Sequence, residues 1–332
     1  MTDPTPSMRE RYVGCLIGSA LGDALGKLTE HLDYDQILYQ FGPDGITEPP
    51  ANALYTDDTQ LAMATARALL AAGRGQLGLV MECMVKEYMR WYDLQGSPVH
   101  RRAPGTAIID ALSRIHRGVP YGAAADGGAN DSITATRSVP VALRYHGDLR
   151  RIVEAGAEIS RMTHGHPAAV AGGAASALYV EYALSGVPLG SWIQQGTTQL
   201  RRFCPETPRA AVEAIRAVER TLGWAPEDAM ERQFHSRPGY GGGWTAEEAV
   251  ALGLWCFLSA PRDYLATVRL AANAPGLSDT DAIAAVAGAI SGAYNGLQAI
   301  PADWIARLES ADEIRSLAEQ LYDLREGETA MT

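Results

Sequence analysis

Residues 8–26 read MRERYVGCLIGSALGDALG, a helical stretch whose glycines recur at every fourth position, at Gly14, Gly18, Gly22 and Gly26. This spacing places all four glycines on one face of a helix. Each costs about 1 kcal/mol of helix stability relative to alanine, so the row requires a compensating interaction. The pattern therefore predicts that another backbone approaches this face closely. A second glycine period, at 288, 292 and 296, predicts the same kind of tight packing late in the chain.

Helical patterns continue along the chain, and strand-like alternation is almost absent. Residues 118–137, rich in Gly, Ala, Ser, Thr and Asn, are predicted to form a long loop. Since no linker interrupts the sequence, we expect a disordered tail over 1–7 and a single all-α domain over 8–332. Besides 8–26, helices are predicted over 34–39, 60–70, 79–92, 106–117, 139–145, 149–162, 168–185, 190–202, 208–222, 246–259, 263–272, 282–297 and 310–325.

Composition narrows the class of protein. Of 332 residues, 47% are hydrophobic and 20% charged, which is enough to bury a core and excludes disorder. The net charge of −11 argues against a nucleic-acid or anionic-membrane partner. The four cysteines lack metal-ligand spacing, and no apolar run approaches the roughly 20 residues that span a bilayer. With no signal peptide pattern, we expect a soluble, cytoplasmic, monomeric protein with free cysteines.

Two short acidic clusters are the candidate chemical centre, Thr56-Asp57-Asp58-Thr59 and Asp279-Thr280-Asp281. Carboxylates this close together repel one another unless a positive charge lies between them. Mg²⁺ and Mn²⁺ prefer carboxylate and hydroxyl oxygens, so the clusters suit such ions. The alternative is that the carboxylates cap the helices that follow, stabilised by free backbone N–H groups. Taken together, the pair of clusters favours metal.

The residues also resemble those of a known family. The segments concerned, in chain order, are Gly18-Ser19-Ala20-Leu21-Gly22-Asp23-Ala24-Leu25-Gly26 followed by Glu30, then Thr56-Asp57-Asp58-Thr59, Thr163-His164-Gly165-His166-Pro167 and Asp279-Thr280-Asp281. Across residues 8–305 this series resembles the ADP-ribosylglycohydrolase family. The resemblance implies a compact orthogonal helical bundle with two Mg²⁺ or Mn²⁺ ions. It also implies hydrolysis of the bond that links ADP-ribose to a protein side chain or small acceptor.

By this resemblance, the first group of metal ligands is Thr56, Asp57 and Asp58, and the second is Asp279 and Asp281. The chain departs from the family pattern in two places. Ala282 stands where a threonine ligand is expected, which implies a water in its place or a weaker second ion. In the 130–137 loop, Asp131 stands where glycine is expected, and a negative charge there would be unfavourable beside a phosphate unless it turns away or meets a metal.

The resemblance and the residue chemistry together suggest a mechanism. Two ions could polarise a water, and a carboxylate could take its proton, with Glu30, Asp57 and Asp58 as the catalytic candidates. Cleavage would pass through an oxocarbenium-like state that nearby carboxylates stabilise. By contrast, Asp23 inside the glycine-rich helix is interpreted as a buried structural acid, and His166 as structural.

Substrate contacts are predicted from two further segments. Asn130 and Ser132 could donate to phosphate, while His164 either ends a helix or contacts ADP-ribose at the pocket wall. The glycine-rich loop 239–244 could bring backbone N–H groups at Gly243 close to phosphate or ribose. Trp244 or Tyr240 could stack on adenine, or either could belong to the core.

We therefore expect a metal-dependent hydrolase of ADP-ribosyl arginine, serine or small acceptors. Two alternatives stay open. One is a catalytically inactive module that binds ADP-ribose or a nucleotide, and the other is a hydrolase of a different ADP-ribose-like substrate at the same centre. Retention of the clustered oxygen ligands favours the enzyme over the module, and the altered 130–137 loop keeps the different substrate open.

Overall fold

The structure of the protein, a computed structural model that describes residues 5–229 and 241–329, is built of α-helices. Within these ranges the β-type pairing is limited to two isolated bridges. The predicted all-α bundle is therefore confirmed. In chain order the helices are α1 Met8–Gly26, α2 Tyr34–Phe41, α3 Asp57–Ala72, α4 Leu77–Leu94, α5 Thr106–His116, α6 Ile133–Arg137, α7 Val139–Arg144, α8 Leu149–Arg161, α9 Pro167–Ser185, α10 Trp192–Phe203, α11 Arg209–Thr221, α12 Pro226–Ala229, α13 Ala246–Ser259, α14 Tyr264–Ala272, α15 Thr280–Asn295, α16 Ala302–Arg307 and α17 Ala311–Thr329.

Helix α1 is the centre of the fold and is buried from Tyr12 to Gly26. It begins with a capping box, in which the Ser7 hydroxyl accepts from the Glu10 N–H and the Glu10 carboxylate accepts from the Ser7 N–H. These two bonds satisfy N–H groups that have no partner inside the helix. Residue 7, which the sequence places in the polar tail, is thus the first ordered cap of the bundle.

The glycine face of α1 packs directly against the backbone of α15. A Cβ atom added to each α1 glycine would collide with an α15 carbonyl oxygen, at 2.6 Å for Gly14 and Gly292, 2.5 Å for Gly18 and Gly288, 2.0 Å for Gly22 and Ala284, and 2.2 Å for Gly26 and Thr280. The predicted close approach is confirmed, and its partner is the second glycine-periodic helix. The pairing is antiparallel, so the end of α1 meets the beginning of α15.

Other helices surround this pair and hold it in the core. Helices α13 and α14 pack against α15, α17 packs against α1, and α9 contacts α6, α8 and α13. Helix α9 is rich in alanine and glycine and is buried from Ala168 to Leu184, which lets its neighbours approach closely. The result is one continuous apolar core with the α1–α15 pair inside it.

Where the predicted helices exist, their ends agree with the structure to within four residues. Three short helices escaped prediction, namely α6, α12 and α16. The 118–137 segment was expected to be a loop throughout, and this is wrong for its last part, since α6 occupies residues 133–137 and is buried. Helices of one or two turns have little intrinsic stability and depend on tertiary contacts, which a sequence pattern does not display.

All four cysteines are buried and unpaired, as predicted. Over the described parts of the chain, none of the helices combines the length and apolar character needed to traverse a lipid bilayer.

Candidate active site

Three separate segments bring acidic side chains together. The turn after α1 carries Glu30, the start of α3 carries Asp57 and Asp58, and the start of α15 carries Asp279 and Asp281. The close α1–α15 packing joins the first segment to the third. Carboxylate oxygens of Glu30, Asp279 and Asp281 lie within 4.8 Å of one another.

Asp23 fixes the start of α3 against α1. Its fully buried carboxylate accepts hydrogen bonds from the Thr56 N–H at 2.9 Å, the Thr59 N–H at 3.0 Å and the Thr59 hydroxyl at 2.5 Å. It therefore satisfies backbone donors at the N-terminus of α3 from outside that helix. These bonds confirm the interpretation of Asp23 as a buried, hydrogen-bonded structural acid.

Helix capping accounts for only part of the acidic clusters. Thr56 is the N-cap of α3, and its hydroxyl accepts from the Asp58 N–H at 3.2 Å. Asp279 is the N-cap residue of α15, yet its side chain makes no capping bond. Instead it contacts the Asp281 carboxyl group and the Ser132 hydroxyl. Asp57 lies within the first turn of α3 rather than at its cap, and the charges of Asp281 and Asp23 act on its carboxyl group.

The cluster is electrostatically unfavourable as it stands. Burial raises the pKa of Asp57, Asp58 and Asp279 well above the usual range, and the nearby charge of Asp281 raises each further. The same two causes raise the pKa of Asp23 to about 7 and that of Glu30 to about 8. In the described residues no lysine or arginine forms an ion pair with any member of this cluster, so its negative charge calls for a proton or a cation.

The 130–137 segment lies over the carboxylates and touches two of them. The Ser132 hydroxyl donates to Asp279, and the Thr136 hydroxyl on α6 donates to Asp58 at 2.5 Å. The Asn130 amide donates to the Glu247 carboxylate at 3.0 Å, which leaves its buried carbonyl oxygen without a partner in the described structure. This segment therefore forms one wall of the site.

The glycine-rich loop forms an adjoining wall. The Gly242 carbonyl accepts from the Asp279 N–H at 2.7 Å, and a Cβ at Gly243 would lie 2.7 Å from Ile283. The Trp244 indole donates to the Leu277 carbonyl at 2.9 Å and stacks on the His31 ring, with 4.8 Å between ring centroids. Trp244 is 37% exposed, so it is not a core residue. Tyr240 lies outside the described residues.

His164 is fully buried at the junction of α8 and α9. One ring nitrogen, Nδ1, lies 2.8 Å from the Thr163 hydroxyl, and the other, Nε2, lies 3.2 Å from a carboxylate oxygen of Asp131. Its backbone N–H also closes the end of α8 by donating to Ser160. His166 is the N-cap of α9 and accepts from the Ala168 N–H, which confirms its structural role.

Similarity to known proteins supports the same assignment. The sequence matches the ADP-ribosylglycohydrolase family over residues 4–330. The chain belongs to the ADP-ribosylglycohydrolase family. It is 27% identical to ADP-ribosylhydrolase ARH3 of Danio rerio, covering 96% of this chain and 91% of that protein. It is 26% identical to the ADP-ribosyl-[dinitrogen reductase] glycohydrolase of Rhodospirillum rubrum, covering 92% of each.

A solved structure titled ADP-ribosylglycohydrolase-related protein complex has the same fold, with a TM-score of 0.71 and 29% identity over 96% of this chain and 98% of that one. The predicted family is thus confirmed, as is the predicted class, an enzyme that hydrolyses glycosyl bonds. Among the residues that the sequence nominated, Glu30, Asp279 and Asp281 have carboxylate oxygens close together, and Ala282 is buried directly after Asp281. Asn130, His164 and Trp244 instead contact Glu247, Asp131 and His31, respectively.

The candidate site also contains residues that the sequence did not reveal. Thr136 binds Asp58, and His31 stacks on Trp244. His31 adopts a positive φ of 64°, and its ring lies under the indole. No sequence pattern predicts this backbone conformation for a histidine. Asp131 was noticed only for its charge, and its contact with His164 depends on a pairing between segments 33 residues apart.

Proposed function

We propose that the protein hydrolyses the glycosidic bond between ADP-ribose and an arginine or serine side chain, or a small acceptor, at a dinuclear Mg²⁺ or Mn²⁺ centre. The observation that carries this proposal is the convergence of five carboxylates, four of them buried, from three chain segments, with no lysine or arginine of the described residues in an ion pair with them. The names of the relatives from Danio rerio and Rhodospirillum rubrum support ADP-ribose as the glycosyl group.

The chemistry of the donor set fits two hard divalent cations. Thr56, Asp57 and Asp58 would hold one ion, and Asp279 and Asp281 the other. Buried carboxylate and hydroxyl oxygens are the ligands that such ions select. When bound, the ions would supply Lewis acidity that makes water a better nucleophile near neutral pH.

Glu30 is the carboxylate best placed to accept a proton from the attacking water. Its side chain is 22% exposed, whereas Asp57 and Asp58 are buried and Asp58 accepts from the Thr136 hydroxyl. A proton acceptor must reach the substrate cavity, and its pKa should lie near the working pH. Burial and Asp281 raise the pKa of Glu30 to about 8 in metal-free protein, and bound cations would lower it, which favours the ionised carboxylate that a proton acceptor needs. Neighbouring carboxylates would stabilise the positive charge that develops on the ribose.

The two walls would hold the rest of ADP-ribose. Trp244 has one face on His31 and a partly exposed indole that could stack on adenine. Gly243 permits close approach of the backbone to ribose or phosphate. Asn130 and Ser132 would supply polar contacts from the adjoining wall, where the Ser132 N–H donates to the Trp244 carbonyl, with His164 behind them.

The test begins with metal-stripped protein. Calorimetry would measure ADP-ribose binding with and without added Mg²⁺ or Mn²⁺, followed by turnover assays on ADP-ribosyl-arginine and ADP-ribosyl-serine peptides. Metal-dependent turnover supports the proposal. Binding without turnover would favour a catalytically inactive ADP-ribose or nucleotide-binding module. Absence of binding would point to a hydrolase of a different ADP-ribose-like substrate at the same centre.

Ala282 provides a test of the second ion site. Its N–H donates to the Asp281 carboxylate at 3.0 Å, so a side-chain hydroxyl at this position would lie beside an existing ligand. We expect Ala282→Ser to tighten binding of the weaker Mn²⁺ ion about fivefold, because affinity rises with the number of oxygen ligands. A titration with Mn²⁺ that is monitored by electron paramagnetic resonance measures the affinity of both sites. Equal affinity in the variant and the wild type would mean that position 282 does not face the ion.

Stability should depend on pH and metal together. The folded-state pKa values of Asp23 and Glu30, about 7 and about 8, are raised above their unfolded values. The contribution of such a group to stability is fully present when the pH is below its unfolded pKa. This contribution is lost as the pH rises through the folded pKa. We therefore expect the Tm of metal-free protein to fall between about pH 4.5 and about pH 8.

Bound cations should remove most of this loss. At a concentration near 100 Kd, Mg²⁺ or Mn²⁺ should raise Tm by about 5 °C at the upper end of the pH range and by less at the lower end. Thermal unfolding with EDTA or with metal measures the difference. The Asp279→Asn, Asp281→Asn double variant should show a shallower dependence on pH. A metal effect of the same size at every pH would contradict the explanation.

A further inference from the structure

Behind the 130–137 wall lies a buried arginine that forms no ion pair with a carboxylate of the described residues, although the charge of Asp131 acts on it. Arg137 is fully buried, and its Nη2 donates to the carbonyls of Ile159 and Ser160 and, at 2.6 Å, to the Thr163 hydroxyl. Its Nε and Nη1 atoms have no partner in the described residues. The ring of Tyr88 lies 5.4 Å from the guanidinium carbon and compensates only part of the charge. A buried cation of this kind attracts an anion.

The hydrogen bonds from Arg137 have a fixed direction. A guanidinium group can only donate, so the Thr163 hydroxyl accepts from it and retains one proton to give. The acceptor within reach of that proton, 2.8 Å away, is Nδ1 of His164. Burial, together with the charge of Arg137, lowers the pKa of His164, so the ring is neutral near pH 7 and carries its proton on Nε2.

This series of hydrogen bonds ends at the site wall. The His164 Nε2–H donates to the Asp131 carboxylate at 3.2 Å, and the Asp131 side chain is 44% exposed. The next residue, Ser132, touches Asp279. The wall therefore presents an N–H donor, backed by a buried cation, beside the carboxylate cluster. A carboxylate of the chain itself occupies that donor.

We propose that Asp131 is a specificity-determining residue that competes with the phosphate groups of ADP-ribose for the His164 Nε2–H donor. The proposal rests on the proposed function, which supplies the anionic ligand. Because Asp131 is tethered next to the donor, an incoming phosphate must displace it or bind beside a second negative charge. The competition weakens the binding of substrate and of product alike. The effect should therefore appear in KM and in the affinity for product, and not in kcat.

The test compares Asp131→Asn and Asp131→Ala with wild type. The first keeps the shape and removes the charge, while the second also frees the donor. We expect ADP-ribose to bind both variants about tenfold more tightly, with an equal fall in KM and an unchanged kcat. Adenosine, which lacks phosphate, should bind all three proteins equally. Asp126→Asn is the matched control, since it removes another charge that acts on His164 from the same loop, at a residue whose carboxylate accepts from the Gly128 N–H and not from the histidine ring.

Two results on ADP-ribose would overturn the proposal. One is unchanged or weaker binding to both Asp131 variants, and the other is a gain of the same size in Asp126→Asn. If KM for ADP-ribosyl-arginine rises in Asp131→Asn, the carboxylate contacts the acceptor instead, and competition is again excluded.

A measurement on the histidine ring separates this proposal from the proposed function. Nitrogen-15 NMR of histidine-labelled, metal-free protein should show His164 as the Nε2–H tautomer. Inorganic phosphate should shift the Nε2 resonance in Asp131→Ala and leave it in place in wild type. If ADP-ribose binds none of the proteins, the proposed function fails, yet this shift would still support competition. An Nδ1–H tautomer, or no shift in Asp131→Ala, would overturn it.

Discussion

Replacing Asp57 with alanine should lower kcat by at least about a thousandfold and leave the fold intact, since it removes an oxygen ligand from the first ion. The side chain lies in the first turn of α3 and is 8% exposed, facing a group of like charges. Burial, together with Asp281 and Asp23, raises its pKa, so its removal relieves repulsion in metal-free protein. The Tm measured in EDTA should therefore be unchanged or higher, while Mn²⁺ binding by calorimetry should weaken.

The matched control is Asp312→Ala, an exposed carboxylate in the first turn of α17. It changes net charge by the same amount, also in the first turn of a helix but away from the site, and should retain full activity. Equal kcat in Asp57→Ala and wild type would exclude the metal assignment at α3. A loss of kcat with unchanged Mn²⁺ affinity would instead mean that Asp57 takes part in proton transfer.

Predictions from patterns that repeat along one helix agree with the structure. The glycine period of residues 8–26 predicted a close backbone neighbour, and a second period marked the helix that supplies it. Acidic residues at the starts of α3 and α15 were recognisable because they stand next to strongly helical runs. These features are local, and a local pattern is visible in one sequence.

Features that depend on contact between distant segments were not visible. The α6 sequence, Ile-Thr-Ala-Thr-Arg, has two β-branched threonines and a single turn, so its intrinsic helix propensity is weak. Its helix is held by tertiary contacts, such as the hydroxyl of Thr134 on the Ala169 carbonyl and that of Thr136 on Asp58. The partners of Arg137, at the end of the same helix, are likewise not visible in the sequence. The structure shows that its Nη2 donates to carbonyl groups and to the Thr163 hydroxyl.

Gly22→Ala should destabilise the protein by about 3 kcal/mol or more, although alanine is the better helix former. The added methyl group would lie 2.0 Å from the Ala284 carbonyl oxygen and 2.5 Å from its carbon. Both are backbone atoms inside a buried helix, so relief requires α1 and α15 to move apart. Chemical denaturation measures the loss of unfolding free energy. The same movement would separate Glu30 from Asp279 and Asp281, so the affinity for Mn²⁺ should fall as well.

Gly78→Ala is the matched control, because Gly78 also lies inside a helix, α4, but has no atom within 4 Å of an added Cβ. There the same substitution should be neutral or stabilise by up to about 1 kcal/mol, through helix propensity and a less flexible unfolded chain. The same substitution, glycine to alanine, should therefore lower the unfolding free energy at position 22 and leave it unchanged or raise it at position 78. If Gly22→Ala were as stable as Gly78→Ala, α1 and α15 could not be in backbone contact. The geometry that joins Glu30 to the carboxylates of α15 would then need another cause.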